Sequence, residues 1–146
     1  PDGIGGAMTD RDTRAAELLA LFAREGFERV EPPILQPADI FLDLSGEDIR
    51  RRMFVTQDAA SRELCLRPEY TIPVCRMHLS AQGGREGAYA YCGPVFRLRA
   101  GETGEFQQAG LESIGRSDTA AADAEIAALG IEALAALGLS DPQVTL

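Results

Sequence analysis

The segment YAYCGPVFRLRAGETGEFQQAGLESI, residues 89–114, alternates apolar and polar side chains on both sides of one glycine-bounded loop. Alternation with period two is the pattern of a strand with one buried face. Tyr89 to Cys92 and Val95 to Arg99 therefore predict strands, separated at Gly93-Pro94. Ala100 to Gly104 turns the chain, and Phe106 to Ile114 predicts the returning strand.

The rest of the chain supplies helices and one more hairpin. Thr9 or Asp10 can cap a helix running to about Glu25, with Ala15, Leu18, Leu19 and Phe22 on one face and Gly26 as the stop. Phe27 to Glu31 is short and extended, and Pro32-Pro33 ends it because neither proline can donate to a ladder. Asp39 to Leu44 predicts a short helix, and the charged run Ser45 to Arg52 predicts a mobile loop. Met53 to Thr56 and Glu63 to Leu66 form a hairpin around Asp58-Ala59-Ala60-Ser61. A helix opens at Glu69 and runs to about Ser80, with Pro73 tolerated near its first turn, before Gly83-Gly84 breaks it. Ala120 to Leu137 is an alanine-rich helix stopped by Gly138, and Val144 to Leu146 begins a further strand, left unpaired where the sequence stops. Hairpins with helices packed beside them imply an α+β fold, an antiparallel sheet flanked by helices, and not a doubly wound parallel one. The unpaired last strand makes residues 1–146 read as a truncated core.

Composition removes several classes of function. Hydrophobic residues make up 45% and charged residues 25%, the balance of a soluble globular domain. No apolar run reaches the roughly 18 residues of a membrane span, and no signal peptide opens the sequence, so a cytoplasmic protein is expected. All 14 basic residues are arginine, which excludes a P-loop lysine and a Schiff-base lysine from this segment. The net charge of −9 disfavours nucleic acid as the main partner, because affinity for phosphate backbones comes from basic side chains. Cys65, Cys75 and Cys92 form no C-x-x-C pair and predict buried free thiols. His78 is the one histidine, too little for a metal site or a histidine-based triad, and is expected as a partly buried or surface residue of a helix. No metal, no cofactor and no catalytic residue is assigned.

Polar groups nevertheless interrupt apolar segments at chosen points. Glu69 and Thr71 stand two apart at a strand-to-helix junction, Arg97 ends an apolar strand, and Gln108 and Glu112 share a strand face with Phe106 and Gly110. Arg97 could meet a ligand carboxylate with two hydrogen bonds, Glu69 and Thr71 could hold an ammonium group, and Gln108 and Glu112 could address a polar side chain. The same residues could equally be a structural ion pair of Arg97 with Glu69 or Glu112 and a solvated Gln108. Chemistry alone leaves both readings open.

A resemblance extends over nearly the whole chain. Pro32-Pro33-Ile34-Leu35, Met53-Phe54, Leu66-Arg67-Pro68-Glu69, Gly93-Pro94-Val95-Phe96-Arg97 and Phe106-Gln107-Gln108 with Gly110-Leu111-Glu112 resemble histidyl-tRNA synthetase in order and spacing, and the opening Pro1-Asp2-Gly3 resembles that family's start. The resemblance implies a class II aminoacyl-tRNA-synthetase-like core, of which residues 1–146 are the N-terminal part. It implies that Glu69, Thr71, Arg97, Gln108 and Glu112 hold histidine. Glu69 and Thr71 would meet the α-amino group, Arg97 the carboxylate, and Gln108 and Glu112 the amino group and imidazole. It also implies that Phe106 matches the aromatic that stacks on adenine, and that the proline-bearing segment and its preceding helix form a homodimer interface.

Departures from the family fall on the ATP half. The glutamate that reads adenine in the synthetases is Arg99, the arginines of the following loop are missing from Gly101 to Glu105, the histidine of that motif is Gln107, and a glycine is replaced by Tyr70. Adenylation needs cations around the triphosphate, and a loop carrying Glu102 and Glu105 repels it. A histidine pocket kept while the ATP half is lost resembles the regulatory subunit of ATP phosphoribosyltransferase. That family implies a non-catalytic partner of the short-form catalytic subunit, an activator at the first step of histidine biosynthesis that mediates feedback by L-histidine. Two other readings remain: a divergent, competent histidyl-tRNA synthetase, and a paralogue activating a different small molecule.

Overall fold

The computed structural model describes residues 9–145. Helix α1 (Asp10–Arg24) begins in a capping box: the Thr9 hydroxyl accepts from the Asp12 amide at 3.2 Å, and the Asp12 carboxylate accepts from the Thr9 amide at 3.1 Å. Gly26 follows the helix at φ +87°, and β1 (Glu28–Arg29) succeeds it. Then come β2 (Leu35–Pro37), α2 (Ala38–Leu44), α3 (Glu47–Arg51), β3 (Val55–Gln57), β4 (Glu63–Leu66), α4 (Thr71–Gln82), β5 (Gly87–Phe96), β6 (Glu105–Ile114) and α5 (Thr119–Ala136).

Two three-stranded sheets result. The first has the order β1-β5-β6, with β5 and β6 antiparallel over ten paired positions and β1 joined to β5 in parallel at Glu28 and Arg29. The second has the order β2-β4-β3 and is antiparallel throughout. The α+β arrangement expected from the hairpins is present, divided between two sheets and with a two-residue parallel contact added. On one face of the first sheet, Leu18, Leu21 and Phe22 of α1 pack with Phe27, Ala90 and Leu129. On the other face, Val74 of α4 packs with Tyr70, Tyr89, Tyr91 and Val95. Ala38, Phe41, Met53 and Cys65 form the core of the second sheet. Each large apolar side chain removed from water in these clusters stabilises the fold by about 1.5–3 kcal/mol.

Four expectations are corrected. Ser45 to Arg52 is not a loop throughout: Arg51 pairs with Glu47 at 3.1 Å, and Arg52 pairs with Asp48, both at the i,i+4 spacing that supports the helical turn of α3. Gly93-Pro94 does not divide two strands, because β5 runs through them and ends at Phe96, before Arg97. Pro94 fits because β1 stops short of it on that edge, where its carbonyl accepts from Arg67 Nε at 2.9 Å. His78 is on a helix but is fully buried, neither partly buried nor at the surface; it is 1% exposed, with Nδ1 2.8 Å from the Tyr89 hydroxyl. Val144 and Thr145 belong to no strand, and the last residue of that expected strand, like Pro1-Asp2-Gly3, lies outside the described residues.

All three cysteines are free, with Cys65 buried and Cys75 and Cys92 half-buried; burial pushes the Cys65 thiol up to about 11. Among the described residues no helix is long and apolar enough to cross a membrane, and no group of His, Cys, Asp or Glu could hold a metal ion.

Arg67 joins the two sheets. Its backbone amide donates to Ile34 O at 2.8 Å, and its carbonyl accepts from the Phe96 amide at 3.0 Å. The side chain is fully buried, with Nε donating to Pro94 O, Nη1 to Pro32 O and Nη2 to the Tyr70 hydroxyl at 2.6 Å. Among the described residues no carboxylate pairs with it; the guanidinium carbon lies 4.1 Å from the centre of the Tyr70 ring.

Candidate functional site

The five residues singled out in the sequence come from three elements and meet above one face of the β5–β6 pair. Direct pairing across that hairpin puts Tyr89 beside Glu112, Tyr91 beside Gly110, Gly93 beside Gln108 and Val95 beside Phe106, all on the side where α4 packs. The segment leading into α4 approaches the same surface. Glu69 accepts from the Ile72 amide with both oxygens, at 3.0 and 3.3 Å, using its side chain to satisfy the start of α4. The Tyr70 amide donates to Gln108 Oε1 at 3.2 Å, and the Thr71 hydroxyl donates to Glu112 Oε1 at 2.7 Å. These two bonds, spanning 38 and 41 residues of sequence, tie the helix start to β6.

Arg97 lies at the end of β5, where its Nε donates to Pro68 O at 2.7 Å and its own amide donates to Gly104 O at 2.8 Å. It makes no ion pair with Glu69 or Glu112 among the described residues. The structural ion-pair reading is therefore not the arrangement adopted. With Nε occupied, the two terminal nitrogens of the fork remain for a ligand anion.

The electrostatics of the cluster favour a cationic guest. Burial raises the Glu69 carboxyl above its ordinary range, and the nearby Glu112 charge adds to this against the amide hydrogen bonds at the helix start. Burial also lowers the Arg97 guanidinium, helped by Arg99 and opposed by Glu69. Two carboxylates thus share a partly desolvated site with a single unpaired arginine, and an ammonium or imidazole N–H group would supply the missing positive partner.

Two members of the site escaped the sequence reading. Tyr91 is buried, and its hydroxyl donates to Glu112 Oε1 at 3.1 Å. Its signal was Gly110, the small residue between Gln108 and Glu112: a Cβ there would lie 2.5 Å from the Tyr91 ring carbon Cζ. Cys75, four residues after Thr71, is the other. Burial and the charges of Glu112 and Glu69 push its thiol up, so it stands as a neutral wall and not as a nucleophile.

Phe106, which the resemblance sets at an adenine-stacking position, lies close to two arginines. The guanidinium carbon of Arg99 lies 4.2 Å from its ring centre and that of Arg97 lies 5.3 Å away. Glu102 accepts from Arg99 at 3.3 Å, so the loop's own ion pair holds the cation against the aromatic. Gly104, at φ +78°, closes this loop beside Phe54; a Cβ would meet the Phe54 ring at 2.7 Å.

Hollows open elsewhere on the surface. One of about 540 Å³ opens on the opposite face of the sheet, between α1 and Cys92, Gln107 and Ala109. The carboxylate that lines it, Asp10, is already paired with Arg14 at 3.2 Å. Chemistry, and not volume, marks the cluster around Glu112 as the candidate site.

The sequence model of the family described as histidyl-tRNA synthetase matches residues 7–146. A curated ATP phosphoribosyltransferase regulatory subunit from Sinorhizobium medicae is 52% identical over 112 residues, 77% of this chain and 30% of that protein. Another, from Mesorhizobium japonicum, is 54% identical over 110 residues, 75% of this chain and again 30% of the relative. The crystal structure of an ATP phosphoribosyltransferase regulatory subunit/histidyl-tRNA synthetase from Bacillus halodurans is similar at a TM-score of 0.78 and 26% identity, covering 97% of this chain and 40% of that one. The chain spans about 30% of the length of the curated relatives it matches.

Proposed function

The chain belongs to the histidyl-tRNA-synthetase family, and from that premise we propose that it acts as part of the regulatory subunit of ATP phosphoribosyltransferase, binding L-histidine and not ATP. The observation that carries the reading is a contrast within one site. In the amino-acid half Thr71 bonds to Glu112, Gln108 and Glu69 accept from the Tyr70 and Ile72 amides, and Arg97 makes no ion pair among the described residues. The adenine half has its aromatic covered by Arg99 and Glu102.

In this reading Arg97 takes the ligand carboxylate, Glu69 and Thr71 the ammonium group, and Glu112 the imidazole N–H. Gln108 gives its carbonyl to the Tyr70 amide, so its amide nitrogen is the end offered to the ligand. The site acts as a sensor: no bond is made or broken in it. The short-form catalytic subunit is the partner, and the compartment is the cytoplasm. Feedback follows if histidine binds the inhibited assembly more tightly than the active one, a coupling of about 1–3 kcal/mol. Residues 1–146 form the N-terminal part of a synthetase-like core domain, and the protein pairs with a second copy through α1 and the proline-bearing segment. Ile34 and Leu35 are 41% and 50% exposed there.

The alternative is a competent histidyl-tRNA synthetase, the other half of the name borne by the Bacillus halodurans relative. Full-length protein with its catalytic partner, titrated with L-histidine by calorimetry, separates the two. The expected result is histidine binding without ATP and no histidine-dependent exchange of pyrophosphate into ATP. Arg97→Ala and Glu112→Ala should each weaken histidine about 10–100-fold, since each removes a charged hydrogen-bond partner worth about 1.5–3 kcal/mol. Robust pyrophosphate exchange would replace the regulatory reading with the synthetase one.

A further inference from the structure

Two hydroxyls converge on one oxygen of Glu112. Thr71 Oγ1 donates to Oε1 at 2.7 Å and Tyr91 Oη donates to the same atom at 3.1 Å, while Oε2 accepts no hydrogen bond among the described residues. A carboxylate has about four acceptor positions, and those on Oε1 are mostly taken. Oε2 is therefore the acceptor left for a ligand.

Thr71 alone would not fix that orientation, because it is exposed at the helix start. Tyr91 is held much more firmly. Its ring is stacked on Tyr70, with centres 4.3 Å apart and planes within 1° of parallel. Tyr70 is 1% exposed and its hydroxyl accepts from Arg67, whose other bonds reach the backbone of two separate segments. Gly93 leaves the space this tyrosine fills: a Cβ there would lie 3.3 Å from Tyr70 Cζ and closer still to the hydroxyl. Burial and the adjacent Glu112 charge raise the Tyr91 phenol, so it is a neutral donor throughout the physiological range.

We propose that Tyr91 is a positioning residue of the histidine site: braced by Tyr70 and Arg67, its hydroxyl turns Glu112 so that Oε2 faces the ligand and selects a side chain with an N–H donor. The assignment rests on the histidine-binding reading. It predicts discrimination between L-histidine and 4-thiazolylalanine, which keeps the five-membered ring and one ring nitrogen but has sulfur where histidine offers an N–H.

Tyr91→Phe tests it, since this substitution keeps the ring, the stack and the packing. Calorimetry on the full-length protein with its catalytic partner should show wild-type preferring histidine. In Tyr91→Phe the preference over 4-thiazolylalanine should fall about 10-fold, the size of one hydrogen bond to a charged group. A Tyr91→Phe protein with wild-type preference would overturn the assignment and leave the histidine reading standing. So would an equal weakening of both ligands, the signature of a purely structural residue. A wild type that binds no histidine would remove both.

Discussion

Gly110→Ala and Gly130→Ala are the same chemical change at two positions where the structure demands opposite outcomes. At Gly110 the added Cβ would lie 2.5 Å from Tyr91 Cζ and 2.8 Å from Cε2, contacts that real Cβ atoms do not make. Neither group has room to give, because Gly110 sits inside the ten-position pairing of β5 and β6, and Tyr91 is 4% exposed beneath its own stack. Overpacking of this kind costs about 1–3 kcal/mol. The shortened entropy of the unfolded chain returns about 0.4–1 kcal/mol, leaving a net loss of about 1–2 kcal/mol. At Gly130, inside α5, the added Cβ meets nothing within 4 Å, so alanine should stabilise by about 0.5–1 kcal/mol. With about 2–4 °C of Tm per kcal/mol for a domain of this size, the two variants should melt several degrees apart, Gly110→Ala below wild type and Gly130→Ala above it. Displacement of Tyr91 also removes its bond to Glu112, so Gly110→Ala should weaken histidine about 10-fold while Gly130→Ala leaves it unchanged. Thermal melts and calorimetric titration of the full-length proteins measure both effects. A Gly110→Ala protein as stable and as tight as wild type would refute the packing argument for the Tyr91–Glu112 contact.

Two further outcomes follow from groups beneath the site. Arg67→Met should cost at least about 3 kcal/mol in denaturant unfolding, because it strands the Pro32 and Pro94 carbonyls and the Tyr70 hydroxyl at about 1–3 kcal/mol each; wild-type stability would show that water replaces the fork freely. Glu69→Gln should raise the Tm of the ligand-free protein at pH 7 while weakening histidine. The Glu69 carboxyl is raised above its ordinary 4.5, chiefly by burial, so the folded state keeps a proton that the unfolded chain has released. Stability is then lost as pH climbs through the window just above 4.5 and stays lower at neutrality. The variant's melting temperature should lack that fall, and a lower Tm than wild type at pH 7 would contradict the sign.

Much of the fold was legible because it is local. The Thr9–Asp12 capping box, the glycines after α1 and α5, and the alternation of β6 each announce an element within a few residues. Ser45 to Arg52 was misread because it lacks apolar periodicity, although Glu47 with Arg51 and Asp48 with Arg52 already carried the i,i+4 charge pattern of a short helix. Gly93-Pro94 looked like a break because a proline cannot donate; that Pro94 faces an unpaired stretch of strand edge depends on where β1 stops, 65 residues upstream. The same limit applies to the site. Residue types suggested the five polar groups, and the resemblance gave them roles, but Tyr91 looked like one more apolar strand position. Its part emerges only from the register that sets it opposite Gly110, and registers are long-range facts. His78 and Arg67 were opaque for the same reason: both are polar residues whose burial depends on partners 11 to 35 residues away.

The Arg67 fork has a kinetic meaning as well as a static one. Its acceptor Pro94 lies 27 residues away in β5 of the first sheet, and its acceptor Pro32 lies 35 residues away in the segment that leads into β2 of the second. A guanidinium loses its water favourably only when replacement acceptors are already in place. Any intermediate with one sheet formed and the other loose would hold a half-solvated cation against an apolar wall, so such states are raised in energy relative to both the folded and the unfolded chain. The residue penalises partial assembly. The two sheets consequently open and close as one unit, and the slowest amide hydrogen exchange should extend evenly across β2, β4 and β5 instead of stopping at the boundary between them.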